Sequence, residues 1–373
     1  MKEEPKQSLE SQLKMARPRR HEVKRVPLTD EEKEFLGEIM DKAVAAEKAG
    51  KLQEAINFYT DYKNELVKIK EIKEIRERVK ELEKSLELEK QYKDQVEILK
   101  KNGLIEKLPI GELGFVDINE IPRPIPTYKE ILERVEAKKE LLEKKEKQGF
   151  TQLLLVPFGM KLSAMAEKAK DLILKKYKQG NLKGTNGDNL ELDEETPVLL
   201  EKKYEGGDAD IRGKLFYYPE SFLQNNHKGK TKKKILDQTG GWDIMLIEDL
   251  PDLPARGEGN TVGNREQLES DFSAHDYLTI KLKEEQYKEE QGMTPEAELA
   301  HFMHYLQKNN QVIDDWQGSG KANLNLGGFI KDAGMAGGTC FFRWQRDDKQ
   351  LQISWIYPYD ANNVRAARTL IRF

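Results

Sequence analysis

The sequence predicts an α+β protein in two parts: an N-terminal helical hairpin and coiled coil, followed by a mixed domain. Three observations lead there. The first half interleaves Lys and Glu around apolar residues at helical spacing. A stretch carrying Pro109, Pro122, Pro124 and Pro126 then interrupts it. The last residues crowd Gly, Trp, Tyr and β-branched side chains, with polar residues alternating between them as a half-buried strand requires.

Composition sets the outer limits. With 373 residues and 37% hydrophobic content, the chain can bury a sizeable core. The net charge of -4 is a balance of 63 basic and 67 acidic residues, which argues against a dedicated nucleic-acid or membrane surface. Cys340 is the single cysteine, so no intramolecular disulfide forms and a reducing compartment fits. No apolar run reaches membrane-spanning length, and residues 1–10 are too polar for a secretory signal. The expectation is a soluble, cytoplasmic protein without a cofactor.

Residues 1–27 are polar, with Arg17, Arg19, Arg20, Lys24 and Arg25 diluted by acidic neighbours, and read as a disordered tail. Thr29 and Glu32 have capping-box spacing, opening a helix through Phe35, Leu36, Ile39, Met40, Ala43 and Ala46 that stops at Gly50. A second helix begins near Leu52. It runs on through Ile69, Ile72, Ile75, Val79, Leu82 and Leu86, a heptad seam with Glu and Lys on the other faces. After Leu86 the register slips to Leu88, Tyr92, Val96 and Leu99, a stutter. The seam either pairs with a second copy, giving a homo-oligomer, or folds against a later helix over 128–147. Residues 28–103 thus form hairpin and coiled coil, ending at Asn102-Gly103. Residues 104–126 are a stiff Pro-rich linker, and 127–149 a connecting helix opened by a second capping box, Thr127 and Glu130.

From Phe150 the character changes. Residues 150–156 form a nearly continuous apolar run closed by Pro157, the mark of a buried strand. A helix follows through Leu162, Met165, Ala166, Ala169, Leu172 and Ile173, and a polar loop over 181–195. Residues 214–218 and 242–247 read as strands, and Thr294-Pro295-Glu296 starts a helix through Leu299, Phe302, Met303 and Leu306. Strand, helices, glycine-rich loops and a closing strand at 369–373 match the order of a C-type-lectin-like domain over 150–373. In that order the closing strand pairs antiparallel with the first, placing 153–156 beside 369–373.

Five words add a family likeness: Gln148-Gly149-Phe150-Thr151-Gln152, Asp249-Leu250-Pro251, Gly292-Met293-Thr294-Pro295-Glu296, Asp314-Asp315-Trp316-Gln317-Gly318 and Arg365-Ala366-Ala367-Arg368. Over 138–373 the chain resembles a family of uncharacterised bacterial proteins whose C-terminal part looks like the variable protein of a diversity-generating retroelement. These carry a C-type-lectin-like domain related in fold to formylglycine-generating enzymes. In such proteins an error-prone reverse transcriptase rewrites adenine positions of a C-terminal coding stretch, varying the ligand-facing side chains. Carried over by position, the resemblance implies a ligand-binding surface drawn from Arg343, Trp344, Gln345, Arg346, Asp347, Asp348, Gln350, Gln352, Ser354, Trp355, Tyr357, Tyr359, Asp360, Asn362 and Asn363. Family members usually carry a Tyr-Gly-Thr-Arg-Ser-like word before the last strand. This chain has Asn363-Val364-Arg365-Ala366-Ala367-Arg368 instead, which leaves diversification of this copy to its codons.

The residue chemistry agrees independently, since aromatics offer rigid contact area while Asn, Asp, Ser and Arg offer adaptable hydrogen bonds. The competing view places Trp344 and Trp355 in the core. Catalytic signals are thin. Glu298, His301 and His304 suggest a metal, but the core stripe Leu299, Phe302, Met303 and Leu306 turns both histidines toward a solvated face. Asp314 and Asp315 offer a weak calcium set. There is no serine elbow, no complete P-loop, and no second cysteine for formylglycine chemistry. No catalytic residue, metal or cofactor is therefore assigned. The sequence indicates a protein that binds a protein or other macromolecule through its C-terminal surface, with no nucleic-acid or membrane partner. An adaptor acting through its coiled coil, and an enzyme of unknown chemistry, stand as alternatives.

Overall fold

The computed structural model describes residues 28–49, 51–201, 215–223, 225–318, 320–331 and 337–373, together with all helix backbones. The predicted tail at 1–27, the Gly50 stop and the side chains over 70–82 lie outside the described residues. Helices and sheets are both present, as an α+β chain requires. The chain divides into two units, Met1–Leu86 and Glu87–Phe373.

The first unit holds α1 (Asp30–Lys48) and the start of α2 (Leu52–Lys101). The expected capping box opens α1: the Thr29 amide donates to Glu32 Oε2 at 2.7 Å and the Glu32 amide to Thr29 Oγ1 at 3.2 Å. Leu36, Ala43, Ala46 and Ala55 are buried. Helix α2 runs unbroken for 50 residues through the heptad stretch.

The second unit begins where the heptad register slips. From Leu88 onward α2 packs on the main core through Leu88, Tyr92, Val96 and Leu99, and ends at Gly103 with φ 67°. The region read as a Pro-rich spacer is instead a small antiparallel sheet of β1 (Glu106–Lys107), β2 (Leu113–Val116) and β3 (Pro122–Pro124). Leu104, Ile105 and Phe115 of this region join the main core. Proline fits here because β3 is an edge strand, where a missing donor costs nothing. The connecting helix is two, α3 (Tyr128–Ala137) and α4 (Lys139–Glu146), with the Thr127 and Glu130 capping box formed.

Two sheets enclose a helical layer. The first contains β4 (Phe150–Val156); after it come α5 (Leu162–Lys178), β5 (Val198–Leu200), β6 (Leu215–Tyr217), α6 (Lys232–Thr239) and β7 (Asp243–Glu248). The hairpin of β8 (Thr261–Val262) and β9 (Arg265–Glu266), then α7 (Ala274–Thr279), β10 (Gln291–Gly292) and α8 (Pro295–Asn309) follow. Last come β11 (Asp315–Trp316), β12 (Ala322–Ile330), β13 (Gly338–Gln345), β14 (Gln350–Ile356), β15 (Arg365–Ala366) and β16 (Thr369–Arg372).

The first sheet has the order β10-β16-β7-β4, which corrects the expected pairing of the first and closing strands. Strand β7 lies between them and is antiparallel to both, setting Leu246 opposite Leu153 and Ile371. Its consecutive buried residues Asp243, Ile244 and Met245 suit a central strand covered on both faces. The outer edge of β4 is closed by α2: Leu153 N donates to Gln91 Oε1 at 2.7 Å, and Gln95 Nε2 donates to the Leu153 carbonyl at 3.0 Å. Two glutamines one turn apart thus occupy backbone groups that an open edge would leave unpaired.

The second sheet follows β15-β12-β13-β14-β5, with β6 added to β12 and β11 to β13. Strand β12 approaches β10 so closely that a Cβ on Gly292 would sit 2.3 Å from Leu326 Cβ, and one on Gly327 would sit 2.5 Å from the Gly292 carbonyl oxygen. Only glycine permits that approach. Helix α8 is buried on every side, from Pro295 through His304.

Candidate functional site

Strands β13 and β14 form an antiparallel hairpin in which Arg343 faces Gln352, Trp344 faces Leu351 and Cys340 faces Trp355. Side chains alternate across a strand, so each pair shares one face. Cys340, Phe342, Trp344, Leu351 and Ile353 belong to the main core, with Trp355 packed against it. Phe341, Arg343, Gln345, Gln350, Gln352 and Ser354 occupy the other face.

The two tryptophans placed on the binding surface therefore lie on the core side. Trp344 is fully buried, its indole nitrogen without a hydrogen-bond partner among the described residues, and cannot meet a ligand; Trp355 is half-buried. Alternation required one face to look outward, but the main core claims the parity that carries both indoles. Gln345, Gln350 and Ser354 share the outer face with Arg343 yet are themselves buried. Among the described residues the Oε1 atoms of Gln345 and Gln350 accept no hydrogen bond, while the Ser354 hydroxyl donates to Glu201 Oε2 at 2.7 Å.

Arg343 is the centre of this face. Its guanidinium carbon lies 4.1 Å from the Trp316 ring centroid and 5.3 Å from that of Phe341, and its Nε donates to Gln352 Oε1 at 2.8 Å. Burial, and then the charge of Arg365, lowers its pKa, with Asp348 opposing. Among the described residues no carboxylate comes within ion-pair distance of it. Trp316 is brought in because β11 pairs in parallel with β13, setting Trp316 opposite Gln345.

The turn after β13 does different work. Arg346 donates to Asp315 at 2.8 and 2.6 Å, to Asp188 at 2.9 and 3.1 Å and to Asn186 at 3.1 Å. Those bonds, with Asp315 first, raise its pKa. Arg346 is thus a tie between three loops, and its hydrogen bonds are already committed. Asp347 accepts from Gln317, and Asp348 is exposed. Beyond β14, Tyr357 and Tyr359 are 41% and 43% exposed, the only stretch of the predicted surface with large apolar area on show. Tyr359 stacks on His275 at 4.7 Å, and the His275 amide donates to the Pro358 carbonyl at 2.8 Å. Asp360 accepts from Arg365 at 3.1 Å, Asn362 caps the Val364 amide at 3.0 Å, and Asn363 is exposed. Sequence reasoning passed over Trp316, His275 and Glu201 as site residues. Only Trp316 carried a signal, as an aromatic set between loop residues.

A second polar region lies inside. Glu298, His301 and His304, expected on a solvated face of α8, are instead fully interior, because both sheets and α2 cover the helix. Asn323 of β12 hydrogen-bonds Glu298, and Gln95 of α2 sits 2.9 Å from His304 Nδ1. Arg368 donates to Asp314 Oδ1 at 2.7 Å and lies 3.7 Å from Glu298. Burial raises the pKa of Glu298 and of Asp314, against the pull of Arg368. Burial pushes both histidines down to about 3. With Asp314 held by Arg368 and Asp315 by Arg346, the calcium set is engaged by cations. Among the described residues no group of three or more His, Cys, Asp or Glu is placed to hold a metal, and no helix is long and apolar enough to cross a membrane. Compared with protein-family models, curated proteins and solved structures, the chain matches none.

Proposed function

We propose that the protein binds a macromolecular ligand, in the first instance a protein, through the outer face of β13 and β14 and the following loop over 357–363. The scaffold is read as C-type-lectin-like, on the family resemblance and the element order. Arg343 carries the proposal. Its charge is partly desolvated, stacked on Trp316 and oriented by Gln352, and no carboxylate answers it within the described part of the fold. A cation held in that state is ready for an acidic group on a ligand, because most of the cost of positioning and drying it has already been met by folding. Tyr357 and Tyr359 next to it supply rigid amphipathic contact area. The revised surface is Arg343, Gln352, Trp316, Tyr357, Tyr359, Asp360 and Asn363, without Trp344.

Selection of a random peptide display library on the immobilised full chain, with a counter-screen on the Arg343→Gln, Tyr357→Ala, Tyr359→Ala variant, tests it. Clones enriched in Asp and Glu that the variant no longer retains are expected. Clones held equally by both proteins would move recognition elsewhere, to the helices first.

A further inference from the structure

We infer that a cleft at one end of the first sheet binds a small phosphate monoester with hydroxyl groups on its body. The cleft holds about 540 Å³, a volume within the range of small-molecule sites. Its walls come from α3, the end of α6 and the adjoining ends of β7 and β16. None of its lining residues belongs to β13, β14 or the loop after them, so it stands apart from the surface around Arg343.

Three cations line the cleft, Arg134, Lys138 and Arg372, against one acid, Asp243. The fold brings them together. Arg134 and Lys138 are four residues apart at the end of α3, a spacing that puts both on one side of the helix. The Lys138 ammonium donates to the Arg372 carbonyl at 2.9 Å, which sets the end of α3 against the end of β16.

The charges are unequally answered. Arg372 pairs with Asp243, which is 1% exposed and also accepts from the Tyr218 hydroxyl at 2.9 Å. Burial raises the pKa of Asp243, and a proton on it would only make the lining more positive. Arg134 and Lys138 have no such partner. The acids beside them on α3 are engaged elsewhere: Glu130 in the Thr127 capping box, Glu133 with Lys129 and Glu136 with Lys139. Among the described residues Arg134 makes no hydrogen bond or ion pair, and the Lys138 ammonium has only the carbonyl of Arg372.

Two cations without a carboxylate suit a dianion. A phosphate monoester is close to one at neutral pH, and its three terminal oxygens fit the N–H fork of an arginine. The body of the ligand meets other chemistry. The carbonyls of Gln238 and Thr239, at the end of α6, accept no hydrogen bond among the described residues. Hydroxyl groups can donate to them, whereas an apolar body would leave them bare.

Isothermal titration calorimetry of the full chain with glycerol phosphate tests the inference, with glycerate and glycerol as controls of lower charge. Glycerol phosphate should bind in the millimolar range or tighter, glycerate at least several-fold more weakly, and glycerol not measurably. Arg134→Gln removes a cation that bonds nothing in the fold, so it should weaken binding by about tenfold or more while the thermal unfolding midpoint stays in place. Lys138→Gln should act in the same direction. Arg343→Gln should leave glycerol phosphate binding unchanged, and Arg134→Gln should leave the retention of acidic peptides unchanged, so the two sites fail separately. No binding at about 10 mM would overturn the inference. So would glycerate or glycerol binding as tightly as the phosphate, or a loss caused by Arg343→Gln and not by Arg134→Gln.

Discussion

Arg368 and Arg343 lie in one domain and in opposite circumstances. Arg368 is interior: it donates to the carbonyls of Leu250 and Pro251 at 2.6 and 2.9 Å and to Asp314 at 2.7 Å. Burial works to lower its pKa, but Asp314 and Glu298 outweigh burial and raise it. Arg343 has an aromatic platform and one amide oxygen, and its pKa falls. The lesson is that an arginine's role depends on what answers its charge. Where carboxylates and carbonyls saturate it, the residue holds the fold; where no carboxylate among the described residues lies within ion-pair distance, the charge is left open to the ligand proposed for it.

The largest way to test that contrast is Arg368→Ala. It strands two buried carboxyls, and the expected loss is about 3–5 kcal/mol, read from urea unfolding. Replacing Arg368, Glu298 and Asp314 together by apolar residues of similar volume should cost much less, because the desolvation of all three groups goes with them. A triple variant as unstable as the single one would show the layer to be more than an ion cluster.

Trp344→Ala comes next. The indole is fully buried against the main core, so a loss of about 3–5 kcal/mol is expected, with a shifted unfolding midpoint. Tyr359→Ala, on the exposed loop, should stay within about 1 kcal/mol. Similar losses for the two would undo the assignment of faces in the hairpin.

The third test uses pH. His301 has a folded pKa of about 3 against an ordinary value of 6.5, set by burial and then by Arg368, with Asp249 opposing. The unfolded chain takes up a proton below 6.5 while the folded chain does not until about 3, so this histidine's contribution to stability is intact above 6.5 and is lost as pH falls toward 3. Glu298 and Asp314 have raised pKa values and act in the opposite sense, so the difference between wild type and His301→Phe isolates the imidazole. Both ring nitrogens of His301 lack hydrogen-bond partners among the described residues, with Nδ1 3.8 Å from Glu298 Oε1 and the Tyr305 ring 6.2 Å away. The phenyl variant should therefore match or exceed wild type at neutral pH and gain on it steadily below 6.5. A constant difference across that range would mean that the histidine titrates normally.

These residues also mark how far sequence alone could see. Features built from neighbours were legible: the capping box at Thr127, the Thr294 cap with Pro295 after it, the Gly103 stop, and the buried run of β4. So was the slip after Leu86, which coincides with the boundary between the two units. What escaped depends on remote partners. Nothing near β4 indicates that β7 will separate it from β16, because strand neighbours are chosen across long loops. Helix α8 has one obvious apolar stripe, yet Asn323, Arg368 and Gln95 from distant segments give its polar face interior partners. In the hairpin, alternation was plain but its parity was not, since shifting the core to the other side exchanges Trp344 with Arg343.

The smallest expected change is also the most discriminating. Arg343→Gln keeps a planar amide near the Gln352 side chain and removes a cation that burial already disfavours. It forfeits the stacking on Trp316, about 0.5–1 kcal/mol, but also relieves the desolvation of the charge. The two effects oppose, so the unfolding free energy should move by less than about 1 kcal/mol in either direction. Retention of acidic peptides should nevertheless collapse, because the group that answers their carboxylates is gone. Arg368→Gln would behave in the reverse manner, losing stability first and binding only as a consequence. If Arg343→Gln instead unfolded the domain as readily as Arg368→Gln, then Arg343 would be a structural cation and the outer face of β13 and β14 would have no special claim to a ligand.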